Sequence, residues 1–207
     1  MLCSRPLLGQ NKLSAGMVPG WGKQNDLTSS SMAAIAANLK PVISAEQIQK
    51  RVREMGRQIS DDYRGKTAHV LAVLENGFMF TADLVRAMDV PVICEFIKPL
   101  YRDRIQGTTT SKEIFFSPEI DVRGHHVLLL EGLVHSGVTT DFLINGLRSR
   151  GAASVRLATL LDRQAARRVA LQPDYFGFLV DDKFLVGYGL GNPLLERNLP
   201  YLAATQP

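Results

Sequence analysis

The residues best suited to chemistry lie in the segment VLLLEGLVHSGVTTDFL, residues 127–143. An apolar run ends in the acid Glu131, and a short turn then opens a helical pattern. The turn consists of Ser136, Gly137, Val138, Thr139 and Thr140. Main-chain N–H groups at such a turn point outward, and the helix N-terminus adds partial positive charge. The pattern therefore predicts a cradle for a monophosphate, with an ordinary strand-turn-helix connection as the alternative.

The elements that must position this turn alternate along the chain. Apolar, β-branched or Leu-rich runs predict strands that are buried on both faces of a parallel sheet. These runs are residues 69–74, 90–97, 127–130, 155–161 and 175–180. Helical patterns occupy residues 78–88 and 139–150, and Ser44 has the spacing of an N-cap for an earlier helix. The alternation predicts an α/β fold with a central parallel sheet flanked by helices.

Ligands of such sheets bind at the carboxyl ends of the strands. We therefore expect the turns after Leu74, Leu130 and Leu161 to line one cleft. The polar stretch from Leu100 to Glu113 has no strong period and contains Gly107. It is typical of a mobile loop or a hairpin, and its position suggests a lid.

Composition limits the other possibilities. The chain has 207 residues, 45% of them hydrophobic, which is enough for one domain with a sizeable core. A net charge of +4 is too mild to indicate nucleic-acid binding, and no segment has the length and apolarity of a membrane span. Two cysteines fit a reducing cytoplasm. Residues 1–40 are predicted to be a disordered extension, and the alternative is an upstream start codon with the natural start at Met32. Residues 41–207 are predicted to form the domain.

Ordered sequence blocks resemble the hypoxanthine-guanine phosphoribosyltransferases over about residues 40–203. The blocks are KPVISAEQIQKRVREMG, VLENGFMFTADLVRAMDVPV, VLLLEGLVHSGVTT, SVRLATLLDR, PDYFGFLVDDKFLVGYGL and ERNLPY. The resemblance implies a type I phosphoribosyltransferase fold, with a small hood formed by the N- and C-terminal segments. It implies transfer of a phosphoribosyl group from phosphoribosyl pyrophosphate to a 6-oxopurine, with Mg²⁺ as cofactor and pyrophosphate as product.

The resemblance also implies roles for individual residues. Glu131 is expected to bind the ribose hydroxyls and to contribute to the metal site, and the turn from Ser136 to Thr140 is expected to hold the 5′-phosphate. Phe184 would stack on the purine, and the backbone of Leu185 would read its edge. Arg197 would contact pyrophosphate through its planar guanidinium.

Several positions depart from the family pattern where the chemistry occurs. His135 stands in place of the acid that manages the purine N7 proton, and Arg163 replaces the lysine near the base carbonyl. Gly132 and Gly191 replace two acids beside the ribose and the magnesium. In the pyrophosphate loop, Glu75 and Asn76 stand in place of a Lys-Gly pair. The substitutions predict impaired or altered catalysis, with His135 either still exchanging a proton or only hydrogen-bonding locally.

Three hypotheses remain open from the sequence. The first is a purine phosphoribosyltransferase that is slow or has a changed base preference. The second is a non-catalytic nucleotide-binding homologue that acts as a sensor or a regulatory subunit. The third is a structural partner without a ligand. The first two imply nucleotide, phosphoribosyl pyrophosphate or purine base as small-molecule partners, within a dimer or tetramer or beside an active paralogue.

Overall fold

The computed structural model describes residue 39 and residues 41–106, 109–115, 120–181, 184–191 and 196–204, with the main chain alone for 101–106 and 109–115. These residues all belong to one unit, Asn38–Pro207. The predicted extension at residues 1–40 therefore lies outside the described residues, apart from Leu39. No helix among the described residues is long and apolar enough to cross a membrane.

A parallel sheet forms the centre of the molecule. Its strands are β2 (Ala68–Val73), β3 (Val92–Ile97), β6 (His126–Val134), β7 (Ser154–Asp162) and β8 (Tyr175–Leu179). Their order in the sheet is β3-β2-β6-β7-β8, and every neighbouring pair runs parallel. All five predicted strands are confirmed, and the sheet is parallel as expected.

Within the part of the chain that the structure describes, three helices cover the sheet. They are α1 (Ala45–Asp62), α2 (Phe78–Ala87) and α3 (Val138–Ser149), and a single 3-10 turn, Gln164–Ala166, follows β7. Helix α1 begins as the sequence predicts, because Ser44 and Gln47 form a reciprocal capping box. The buried face of α1 carries Ile48, Val52 and Met55 at helical spacing.

The apolar side chains form two clusters, to both of which strand β6 contributes. Leu128 and Leu130 belong to the cluster that includes the buried face of α1, whereas Val127 and Leu129 belong to the cluster that includes Leu143 of α3. Successive residues of a strand point to opposite faces of a sheet, so β6 supplies both clusters alternately. This double burial explains why the strands read as continuous apolar runs.

A small antiparallel sheet forms the predicted hood. Its strands are β1 (Pro41–Ile43), β9 (Leu185–Val186) and β10 (Leu202–Ala204), in the order β1-β10-β9. Pro41 aligns with Ala203, and Ala203 with Val186, so the hood joins the two ends of the domain. Short strands of this kind give little period-2 signal, so the apolar runs of the sequence do not mark them individually.

The stretch that follows β3 is a hairpin. Strand β4 (Leu100–Gln106) pairs antiparallel with β5 (Thr109–Phe115). The sequence predicts either a mobile loop or a hairpin for residues 100–113, and the hairpin is confirmed. Its function as a lid stays a prediction.

Candidate functional site

A cleft of about 580 Å³ opens at the carboxyl ends of β2, β3 and β6. It is lined by the turn after β2, the residues after β3, the end of β6, the start of α3 and one residue near the C-terminus. The lining residues are Val73, Leu74, Glu75, Asn76, Lys98, Pro99, Leu100, Glu131, Gly132, Leu133, His135, Ser136, Gly137, Thr139, Thr140 and Arg197. The cleft thus brings together the predicted ribose, phosphate and pyrophosphate residues.

The phosphate turn has the geometry that its glycine permits. Gly137 adopts φ +78° and serves as the N-cap of α3, with no side-chain cap. A Cβ atom at this position would lie 2.9 Å from Cδ of Arg167 and 3.0 Å from Cγ2 of Val169. The carbonyl of Ser136 accepts a hydrogen bond of 2.9 Å from the N–H of Arg168. The loop after β7 therefore supports the turn from behind and leaves the α3 N-terminus facing the cleft.

Glu131 is buried beside this turn. The strand does not end at Leu130 as the apolar run suggested, because Leu133 and Val134 continue the pairing with β7. The hydroxyl of Thr140, itself buried, donates to Oε2 of Glu131 at 3.1 Å. Oε1 of Glu131 has no hydrogen-bond partner among the described residues.

Burial raises the pKa of Glu131 to about 7, against the opposing effects of the Thr140 hydrogen bond and the nearby Arg167 charge. Because the hydroxyl of Thr140 contacts Glu131, the hydrogen-bond donors that remain at the turn are its other groups. The unpartnered Oε1 is suited to accept a hydrogen bond from a ligand hydroxyl.

Glu75 lies between two cations at the other end of the cleft. Its Oε1 accepts a hydrogen bond from Nζ of Lys98 at 2.8 Å, and its Oε2 accepts one from Nη1 of Arg197 at 3.1 Å. Nη2 of Arg197 also reaches Oδ1 of Asn76 at 3.4 Å. Lys98 and then Arg197 hold the pKa of the Glu75 carboxyl below its usual range.

His135 is exposed at the edge of the cleft. Its carbonyl accepts a hydrogen bond of 3.2 Å from Nη1 of Arg167, and Nη2 of the same guanidinium is paired with the buried carboxylate of Asp162. Arg167 therefore fixes the backbone at His135 while it also supports the phosphate turn. His135 itself is exposed and lines the cleft.

The other predicted residues lie outside the lining of this cleft. Arg163 is buried at the N-cap of the 3-10 turn, where its N–H donates to the carbonyl of Val134 at 3.0 Å. Phe184 is 59% exposed, and Leu185 is buried in the hood strand β9. The exposure of Phe184 disfavours burial of its ring in the core.

The two glycines that replace acids leave no room for side chains. A Cβ atom on Gly132 would lie 2.4 Å from the main-chain oxygen of Asn76. At Gly191, φ is +110° and a Cβ atom would lie 2.8 Å from Cγ1 of Val186. Within the described residues no group of three or more His, Cys, Asp or Glu side chains could hold a metal ion. Among the described residues, the carboxylates that line the cleft are Glu75 and Glu131.

Sequence reasoning missed Lys98 and Arg167. Lys98 directly follows β3, so the rule that ligands bind at the carboxyl ends of strands could have identified it. Arg167 lies in an irregular loop that also contains Arg163 and Arg168, and no local sequence signal distinguishes it from them. Its importance comes from the contact with the carbonyl of His135, 32 positions upstream, which only the fold reveals.

Comparison with known proteins identifies the family. Residues 44–192 match the phosphoribosyl transferase domain family. The chain is 34% identical over 170 residues to the hypoxanthine-guanine phosphoribosyltransferase of Bacillus subtilis. The matched residues cover 81% of this chain and 93% of that protein. It is 36% identical to the bifunctional protein TilS/HprT of Listeria innocua, but there it spans only 26% of the relative's length.

A solved structure agrees with these relatives. The hypoxanthine phosphoribosyltransferase of Staphylococcus aureus superposes with a TM-score of 0.75 at 29% identity, over 84% of this chain and 95% of that one. The shared architecture is the parallel sheet with its flanking helices, which is the type I phosphoribosyltransferase fold. From its fold, its cleft and its relatives, the chain belongs to the hypoxanthine-guanine phosphoribosyltransferase family.

Proposed function

We propose that this chain binds a purine nucleotide in the cleft and transfers phosphoribosyl groups between phosphoribosyl pyrophosphate and a 6-oxopurine at a reduced rate. The observation that carries the proposal is the pairing of an open phosphate turn with a buried acid. Gly137 exposes the N-terminus of α3 to the cleft. Beside it, Oε1 of Glu131 is a hydrogen-bond acceptor that has no partner among the described residues. A ribose 5′-phosphate needs these two groups, a cradle of N–H donors and a carboxylate for its hydroxyls.

The reduced rate follows from the missing acids. Transfer through an oxocarbenium-like transition state depends on charges that are held in place before the reaction. Gly132 and Gly191 supply no carboxylate, and neither position has room for one in this conformation. We expect any Mg²⁺ to be held mainly by substrate diphosphate and water, because Glu131 is the carboxylate that the family resemblance assigns to the metal site.

His135 is the group best placed to exchange a proton with the base. Its ring is exposed at the cleft, while the Arg167 hydrogen bond to its carbonyl fixes its backbone. A positioned imidazole can serve as a general acid or base near neutral pH. The residual activity is therefore proposed to depend on His135.

A second candidate function has its own support. Glu75 is paired with Lys98 and with Arg197, the residue expected to bind pyrophosphate. A site whose cations are already occupied favours nucleotide binding without turnover, as in a sensor or a regulatory subunit. In that case the partner is proposed to be a second copy or an active paralogue, in a cytoplasmic assembly.

One pair of measurements separates the candidates. The full chain is incubated with phosphoribosyl pyrophosphate, Mg²⁺ and hypoxanthine or guanine, and monophosphate formation is followed. Inosine and guanosine monophosphate are titrated in parallel by calorimetry. Binding with slow turnover supports the first function, and binding with no turnover supports the second. Absence of binding by either monophosphate would contradict both.

A further inference from the structure

We propose that Glu75 is an internal anion that occupies the diphosphate subsite, so that the cleft favours a nucleoside monophosphate over ligands that carry a diphosphate. The inference rests on the proposed function, because it takes Arg197 as the residue that would meet pyrophosphate. It assigns a specificity-determining function to Glu75 and a diphosphate-binding function to Lys98, which the sequence did not indicate.

The geometry of the carboxylate resembles that of a bound phosphate oxygen pair. Each oxygen of Glu75 contacts a different cation, Oε1 with Lys98 at 2.8 Å and Oε2 with Arg197 at 3.1 Å. The two cations come from distant parts of the chain, one after β3 and one beyond the hood strand β9. Cations gathered in this way from separate elements make a typical site for a multivalent anion.

The main chain of the turn that carries Glu75 packs closely against neighbouring glycines. The main-chain oxygen of Asn76 would be 2.4 Å from a Cβ atom on Gly132 and 3.1 Å from one on Gly189. Gly77 is buried against the carbonyl of Val73. The two contacting glycines therefore let the turn approach the floor of the cleft, which places the Glu75 carboxylate at the cations.

The charges explain why discrimination follows. Lys98 and Arg197 contribute two positive charges, and the Glu75 carboxylate offsets one of them. A diphosphate must displace that carboxylate or meet it as a like charge. A 5′-monophosphate binds instead at the α3 N-terminus, where main-chain N–H groups supply the donors. Removal of the Glu75 charge should therefore affect the first ligand and leave the second nearly unchanged.

The test compares the full chain with Glu75→Gln. Inorganic pyrophosphate and inosine monophosphate are titrated separately by calorimetry at low salt. The isosteric change should tighten pyrophosphate binding about tenfold and change inosine monophosphate binding by less than about twofold, and the gain should shrink at high salt. Glu75 is exposed, so the variant is expected to fold, which thermal unfolding checks.

Matched variants sharpen the result. Glu54→Gln removes another partly exposed carboxylate, which pairs with Arg51 away from the cleft, and it should leave both affinities unchanged. In Glu75→Gln with Lys98→Gln, most of the gain for pyrophosphate should disappear. Unchanged pyrophosphate affinity in Glu75→Gln, or an equal gain in Glu54→Gln, would overturn the inference. Loss of monophosphate binding in the unmodified chain would instead contradict the proposed function, while the pyrophosphate titration would still report on Glu75.

Discussion

The main-chain oxygen of Asn76 occupies the space that a side chain on Gly132 would need, since a Cβ atom there would lie only 2.4 Å away. Asn76 and Gly132 therefore fit each other, and the family acid cannot return at 132 unless the turn moves. Gly132→Asp should lower the free energy of unfolding by about 1–3 kcal/mol through overpacking, without a gain in activity. Urea unfolding and the transferase assay measure the two effects.

The same experiment contains its own control. Gly132→Ala introduces the same Cβ atom without a charge, so it should cost nearly as much stability as the aspartate. Gly124→Ala gives the cost of backbone strain without overpacking, because Gly124 has φ +73° and an added Cβ would meet nothing within 4 Å. An aspartate variant as stable as the unmodified chain would show that the turn adapts freely.

We also expect that an acid cannot be introduced at Gly191 without a loss of stability. Its φ of +110° is a conformation that side chains rarely adopt, and a Cβ atom would meet Cγ1 of Val186 at 2.8 Å. Gly191→Asp should lower the melting temperature more than Gly65→Ala, because Gly65 at φ +74° has open space around it. A simple exchange of glycines for acids is therefore not expected to recover family activity. Equal melting temperatures for the two variants would contradict this view of position 191.

Thr140 should stabilise the domain through Glu131. Thr140→Val removes the donor at 3.1 Å from a buried carboxyl, which should cost about 1–3 kcal/mol in the free energy of unfolding. Thr81→Val is the matched control, since Oγ1 of this buried threonine has no hydrogen-bond partner among the described residues. That control should be neutral or stabilising. Similar losses in both variants would mean that shape, not the hydrogen bond, matters at Thr140.

Asp62 gives a pH-dependent contribution to stability. Hydrogen bonds from the Tyr175 hydroxyl and from Arg156 lower the pKa of Asp62 in the folded state. A lowered folded pKa contributes stability above the unfolded value near 3.9, and the contribution is lost as the pH falls through the folded value. Asp62→Asn should therefore reduce stability at pH 7 by less than about 1 kcal/mol, because the pair is partly exposed.

Melting temperatures at pH 7 and pH 3 check this prediction. The gap between Asp62→Asn and the unmodified chain should narrow at the lower pH. Glu46 also has a pKa below its usual value, but its partner is its own N-cap residue Ser44, so Glu46→Gln reports on a local contact alone. A gap for Asp62→Asn that is constant with pH would exclude its ionisation as the cause.

His135 is expected to carry the residual proton transfer. His135→Asn should lower turnover by about 100-fold, the lower end of what a positioned acid or base contributes. The imidazole is exposed, so stability should change by less than about 0.5 kcal/mol. His135→Asp restores the family residue and should recover activity. Unchanged turnover in the asparagine variant would indicate that the histidine only hydrogen-bonds locally.

The sequence predicted the elements well where burial dictates the pattern. Strands such as β6 are covered on both faces, so their apolar runs are continuous and easy to recognise. The hood strands are only two or three residues long, and their existence followed from the family resemblance alone. Strand β6 extended past Glu131 because pairing with β7 continues there, which no side-chain pattern announces.

The site was predicted in part for a related reason. The residues that follow β2 and β6, and those of the phosphate turn except Val138, are local in sequence and line the cleft as expected. The loop after Leu161 was also expected there, but it lies outside the lining. The state of Glu75 depends on Lys98 and Arg197, which lie 23 and 122 positions away. Contacts over such separations arise only from the fold, so the sequence predicts a carboxylate opposed to pyrophosphate but not its pairing with these two cations.

Strand β6 has a consequence for how ligand binding can be observed. Its residues supply both hydrophobic clusters and it has a hydrogen-bonded strand on each side, so its amide protons should exchange with solvent last of all. The phosphate turn begins directly where this slowest segment ends. Addition of a nucleotide should therefore change deuterium uptake sharply at residues 135–140 and hardly at all at 127–130. The change at the turn then reports ligand binding separately from the strand that precedes it.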